Sequence, residues 1–193
     1  MDFEKIKKRV MDLLKSPETE WKVIAEESGD IASLYVSYVM PLAAIPAVSL
    51  LLGLLLIGAP IIGRFSIGTA LSGAIGSFVS ALIGQIVGAF VIEKLAPKFQ
   101  SSGNTFQAFK LVAYASTPLW VAGVIYLFLL LAPLMLVAAL YAIYLFYTGL
   151  PVMMNTPRDQ VVPFMVVSAI TIIVVSILLR VVETLAGIPT YGF

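Results

Sequence analysis

Ten polar side chains lie within, or at the edges of, otherwise apolar stretches: Gln85, Glu93, Lys110, Tyr114, Ser116, Thr117, Tyr126, Asn155, Arg180 and Glu183. Ionisable groups at membrane depth are functional candidates. Glu93, Lys110, Arg180 and Glu183, however, fall near expected helix ends, where long side chains can snorkel to water. Arg180 and Glu183 are three residues apart and can pair on one helix face. Gln85 is the one clearly mid-span amide. It reads either as interhelical glue or, with Tyr114, Ser116 and Thr117, as part of a polar pathway. The chain has no His and no Cys. That excludes Ser-His and Cys-His nucleophile pairs, His proton shuttles and Cys/His zinc sites. No nucleotide loop, nucleophile elbow or metalloprotease motif occurs. Glu18, Glu20, Glu26, Glu27 and Asp30 lack the alternating pattern of a calcium loop and read as a solvated acidic surface. No catalytic residue, metal or cofactor is expected, and the chain reads as a non-enzyme.

What positions these groups is a membrane bundle. Of 193 residues, 60% are hydrophobic and 12% charged, against about a quarter charged in a soluble domain. Mean hydropathy is +1.02. The net charge of +1 supplies no field for nucleic acid. Eight of the eleven acidic and six of the twelve basic residues fall in residues 1–30. The expected organisation is therefore a helical arm, 1–30, and an all-α membrane domain, 31–193. Charges through the first thirty residues argue against a cleavable signal peptide.

In the arm, Phe3, Ile6, Val10, Leu13 and Leu14 recur at helical spacing and give an amphipathic helix. Lys7, Lys8 and Arg9 suit anionic head groups. Ser16-Pro17 reads as a cap and first turn of a second helix, whose Trp21 and Ile24 would dock at the interface. Five spans follow, at roughly 31–57, 67–92, 108–131, 133–151 and 161–182. Pro41 and Pro46 predict a broken or bent first span, buried against neighbours. Thr105 is the expected cap of span 3, after a turn at Gly103. Leu111 to Pro157 carries no charge for forty-seven residues. As one helix it would measure about 70 Å, over twice a bilayer core of about 30 Å. It must fold back, and Pro133 is the expected point. An N-terminus inside places ten basic residues on the cytoplasmic side and two outside.

Span 2 carries a row of small residues four apart: Gly68, Ser72, Gly76, Ser80, Gly84 and Gly88. A second row, Gly73, Ser77 and Ala81, lies beside it. Small-residue grooves let helices approach closely. The stripe is expected to pack against spans 1, 3 or 5, or to seal a homodimer.

Three local patterns resemble the Yip1-domain family. They are Leu13-Leu14-x-x-Pro17-x-x-x-Trp21, Phe109-Lys110-Leu111-Val112-Ala113-Tyr114-Ala115-Ser116-Thr117-Pro118, and Tyr144-x-x-Tyr147-x-Gly149-Leu150-Pro151 followed by Asn155-Thr156-Pro157. The resemblance covers most of the chain. It implies a five-span membrane protein with a cytoplasmic N-terminus. Eukaryotic members are associated with Rab-type GTPases and traffic between the endoplasmic reticulum and Golgi; prokaryotic members have no well-defined activity. The short arm looks prokaryotic, implying the inner membrane (an ER or Golgi membrane if eukaryotic). Asp30-Ile31-Ala32-Ser33-Leu34 lacks the Gly-Pro of the eukaryotic pattern, so GTPase binding does not carry over. The function expected is a membrane scaffold or adaptor with lipids and an unidentified protein partner; a small channel or transporter is the alternative.

Overall fold

A computed structural model describes residues 3–58 and 65–185, with side chains through Leu178. Arg64 and the Arg180–Glu183 pairing lie outside the described residues and side chains. The described chain is all α, and five helices are long and apolar enough to cross a membrane. Helix α1 (Phe3–Lys15) and α2 (Pro17–Glu26) form the arm. The spans are α3 (Ile31–Ile57), α4 (Ile67–Leu95), α5 (Thr105–Leu127), α6 (Leu129–Met153) and α7 (Arg158–Leu185). Their outward faces expose Ile75, Val79, Ile86, Leu136, Leu140, Ile170 and Ile173, as a lipid-facing surface does.

Of the two outcomes expected for span 1, broken or bent, the break does not occur: α3 is helical throughout. A widened turn directly precedes Pro41, and Pro46 lies within the regular helix Met40–Leu52. Residues Tyr35–Val39 form a π segment in which the Met40 N–H reaches the Tyr35 carbonyl. A second π segment, Gly53–Ile57, ends the span. The irregular span is α5. It is regular helix to Ala122, with Ser116 at an internal joint, then tightens into a 3-10 segment, Gly123–Leu127. Glycine explains where. A Cβ on Gly123 would sit 2.5 Å from the Pro46 Cβ, and one on Gly53 2.4 Å from the Tyr126 carbonyl oxygen. Bare backbone at both positions lets α3 and α5 touch.

The chain reverses at Phe128 (φ −121, ψ 89), not at Pro133. Pro133 instead lies in the 3-10 segment Leu129–Leu134 that leads into the regular part of α6. Phe128 donates to the Ile125 carbonyl at 2.9 Å, and Leu131 to the Phe128 carbonyl at 2.8 Å. Three-residue closures satisfy the backbone without polar side chains, which is why an apolar sequence can turn here. Two smaller expectations are corrected too. Asn104, not Thr105, caps α5, accepting from Gln107 N at 2.8 Å. The turn of the preceding loop falls at Gln100, in the left-handed region, rather than at Gly103. That loop is tied to the next by Ser101 Oγ donating to Thr156 Oγ1 at 2.8 Å and Asn155 Nδ2 to the Ser102 carbonyl at 3.1 Å.

Candidate functional site

Arg9 lies on the same helical face as Ile6 and Leu13, spaced three and four residues from them, and α1 carries it inward rather than toward head groups. Glu20 and Glu27, seven apart on and just past α2, meet it there: both carboxylates pair with the guanidinium. Arg9 also stands over the Tyr114 ring, 5.6 Å from its centroid. Burial works to lower the Arg9 pKa, but Tyr114, Glu27 and Glu20 outweigh it and hold the group above the ordinary arginine value. Two members of the expected acidic surface are thus ion-paired, and Arg9 is not an interfacial contact. Lys7 and Lys8 do remain exposed.

Trp21 is corrected as well. It is fully buried rather than interfacial. Its indole N–H donates to Thr148 Oγ1 at 3.2 Å, and its ring meets Tyr114 edge-on at 6.4 Å. Gly149 makes the seat, since a Cβ there would lie 2.6 Å from Trp21 Cε2. Ser16, at the start of α2, makes no side-chain capping bond. The other end of α2 is closed from the bundle. Lys110 of α5, only 1% exposed, donates to the carbonyls of Ile24 at 2.7 Å and Glu27 at 2.9 Å. It also lies 4.7 Å from the Phe106 ring centroid. A cation at the negative end of a helix dipole is well placed, and these partners explain how a charge is kept inside.

Between the arm and the bundle is a cleft of about 510 Å³, lined among others by Lys8, Arg9, Glu20, Glu27, Tyr38 and Tyr114. The Tyr38 and Tyr114 rings are 4.7 Å apart, and the Tyr38 hydroxyl shares a 2.8 Å hydrogen bond with Thr117 Oγ1. Tyr38 was not singled out from the sequence; the π segment turns it inward.

The four expected pathway residues separate into two pairs. Tyr114 and Thr117 face α3 and the arm. Gln85 Nε2 donates to Ser116 Oγ at 3.2 Å on the α4 side. A further cavity of about 450 Å³ lies among α3, α4, α5 and α6, touching Pro46, Ser77, Ala81, Trp120 and Tyr126; Gln85 is not in its lining.

The small-residue stripe is also resolved into two faces. Gly68, Ser80 and Gly84 are exposed, Ser72 and Gly76 are half-buried, and Gly88 is buried against Val112. The inward face is instead Ala70, Gly73, Ala74, Gln85, Gly88, Ala89 and Ile92. Within the single chain, then, only the Gly88 end of the stripe is fully buried. The bond from Gln85 to Ser116 lies on that inward face, and Gly68, Ser80 and Gly84 of the four-apart row lie away from it.

Leu13, Pro17, Trp21, Lys110, Tyr114, Thr117 and Gly149 are all buried, and the arm, α5 and α6 bring them to one end of the bundle. The chain is thus a polytopic helical membrane protein whose N-terminal arm is attached at one end of the bundle. The Yip1 domain model matches residues 11–180, and the chain belongs to the Yip1-domain family. It is similar to the inner membrane protein YohC of Escherichia coli strain K12, at 29% identity over 192 residues, covering 95% of this chain and 97% of the relative. YohC of E. coli O6:H1 is similar to the same extent. No solved structure matches.

Proposed function

We propose that this protein is a non-enzymatic scaffold of the inner membrane. Its cytoplasmic arm, held in fixed register on the bundle, offers an outer face to anionic head groups and a protein partner. The carrying observation is the arm's attachment: Arg9, Trp21 and Lys110 turn inward onto specific partners while Lys7 and Lys8 stay exposed. The similarity to proteins named as inner membrane proteins supports the location. The positive-inside excess supports the arm's sidedness.

The absence of cysteine makes the test direct. A spin label on Met11→Cys, an exposed α1 position, is read in nanodiscs with and without phosphatidylglycerol. An immobilised label that moves toward the head groups in anionic nanodiscs supports the reading. A freely mobile label, indifferent to lipid charge, overturns it.

The cavities favour a second reading, a small channel or transporter. Flux in proteoliposomes decides it. Saturable uptake altered by Tyr38→Phe or Tyr126→Phe would displace the scaffold.

A further inference from the structure

Ser168 of α7 is 2% exposed, and its hydroxyl has no hydrogen-bond partner among the described residues. Hydroxyls in these helices commonly donate to a carbonyl three or four residues back, as Ser72 does to Thr69 and Ser77 to Ala74. Ser37 does so to Ser33 at 2.6 Å, Ser116 to Val112 at 2.8 Å and Thr171 to Val167 at 2.7 Å. Ser168 does not. A buried polar group without a partner needs an explanation.

Ser168 lines a groove of about 340 Å³ among α5, α6 and α7. The lining is apolar apart from Ser116 and Ser168, with Ala115, Ala139, Ala142 and Phe146 among its walls. Ser116 is already engaged, donating to Val112 and accepting from Gln85. Ser168 is therefore the hydroxyl left to donate to a guest. It stands ten residues into α7 from Arg158, about 15 Å along the axis and near the middle of a core about 30 Å thick. The ester carbonyls of a bulk phospholipid lie at the edges of that core. A group that meets Ser168 must belong to an uncharged molecule that can sink to mid-depth. The volume suits one substituted ring better than a two-chain lipid.

We propose that this groove binds a lipid-soluble ring carbonyl of the quinone type, its carbonyl accepting from the Ser168 hydroxyl and its ring lying against the alanines and Phe146. This goes beyond the scaffold reading and does not depend on it. The site is a binding site, with no chemical step assigned.

The test measures retention of decylubiquinone by full-length protein in nanodiscs, corrected for protein-free nanodiscs, with the carbonyl stretch read by infrared difference spectroscopy. We expect saturable binding, a carbonyl band shifted down by hydrogen bonding, and about tenfold weaker binding with loss of that shift in Ser168→Ala. Ala142→Leu fills the groove and abolishes binding. Ser168→Ala removes an unpartnered group and is expected to leave thermal stability unchanged, which separates a ligand role from a structural one. Retention equal to that of empty nanodiscs, or binding indifferent to both substitutions, overturns the proposal. Ser168-dependent binding of dioctanoylglycerol in place of decylubiquinone overturns it as well.

Discussion

Lys110, in the third span, donates to the carbonyl of Ile24, in the last turn of the second arm helix, at 2.7 Å. This bond and its companion to Glu27 make α5 the C-terminal cap of α2. The arm helix therefore depends on the membrane domain for the partners that an isolated helix would find in water. Lys110→Met removes both donations, taking the ammonium from the Glu27 carbonyl and leaving the Ile24 carbonyl with only the Glu27 N–H at 3.3 Å. We expect a loss of about 1–3 kcal/mol and faster proteolysis within residues 16–30, measured by thermal melting and limited digestion. A wild-type digestion rate would mean that the cap does not hold the arm.

Gly149 carries the second attachment. Any side chain there meets the Trp21 ring and Leu111 Cδ1, at 2.6 and 2.8 Å from an added Cβ. Gly149→Ala should cost about 1–3 kcal/mol through overpacking. In a Trp120→Phe background, Trp21 is the sole indole. Its emission should shift to the red as the arm is pushed from its seat. Emission unchanged from the parent would show that the contact relaxes without moving the arm.

Arg9, Glu20 and Glu27 form a partly buried triad in which each member is costly to leave alone. Arg9→Gln and Glu20→Gln should each destabilise, and the double change should cost less than the sum of the two. A double-mutant cycle should return a coupling of about 0.5–3 kcal/mol. Simple additivity would place the two groups in solvent.

The sequence made the number of spans, their approximate limits and the arm legible, because charge-free length and helical periodicity are properties of single segments. The local patterns made the family legible as well. Which side chains face inward was harder to read. Lys7-Lys8-Arg9 looks like one basic run, yet only Arg9 shares a face with Ile6 and Leu13, and the carboxylates that receive it lie eleven and eighteen residues away. Lys110 looks like a snorkelling residue until α2 is placed over it. Prolines signal a strain but not its resolution: a π turn precedes Pro41 and Pro46 stays in regular helix, whereas the tightening in α5 coincides with close approach at Gly123 and Gly53, which no local pattern in either span announces.

The bundle holds two kinds of small residue, at contacts between spans 1 and 3 and on the outward row of span 2, and substitution should tell them apart. Gly53 and Gly123 face backbone: a Cβ at Gly53 meets the carbonyl oxygens of Tyr126 and Leu127 at 2.4 and 2.9 Å, and one at Gly123 meets Pro46. Backbone cannot swing aside as a side chain does, so Gly53→Ala and Gly123→Ala should be destabilising, by about 1–3 kcal/mol. A Cβ at Gly84 meets nothing within 4 Å. Gly84→Leu should therefore leave the melting temperature of the single chain unchanged. If the outward row is a seam between two copies, as small-residue rows in membranes can be, the same substitution should convert dimer to monomer in nanodiscs, read by mass photometry. A melting temperature lowered in protein that is monomeric before and after the change would mean that the row packs within the chain after all. An unchanged melting temperature and an unchanged monomer would assign Gly84 to the lipid-facing surface alone.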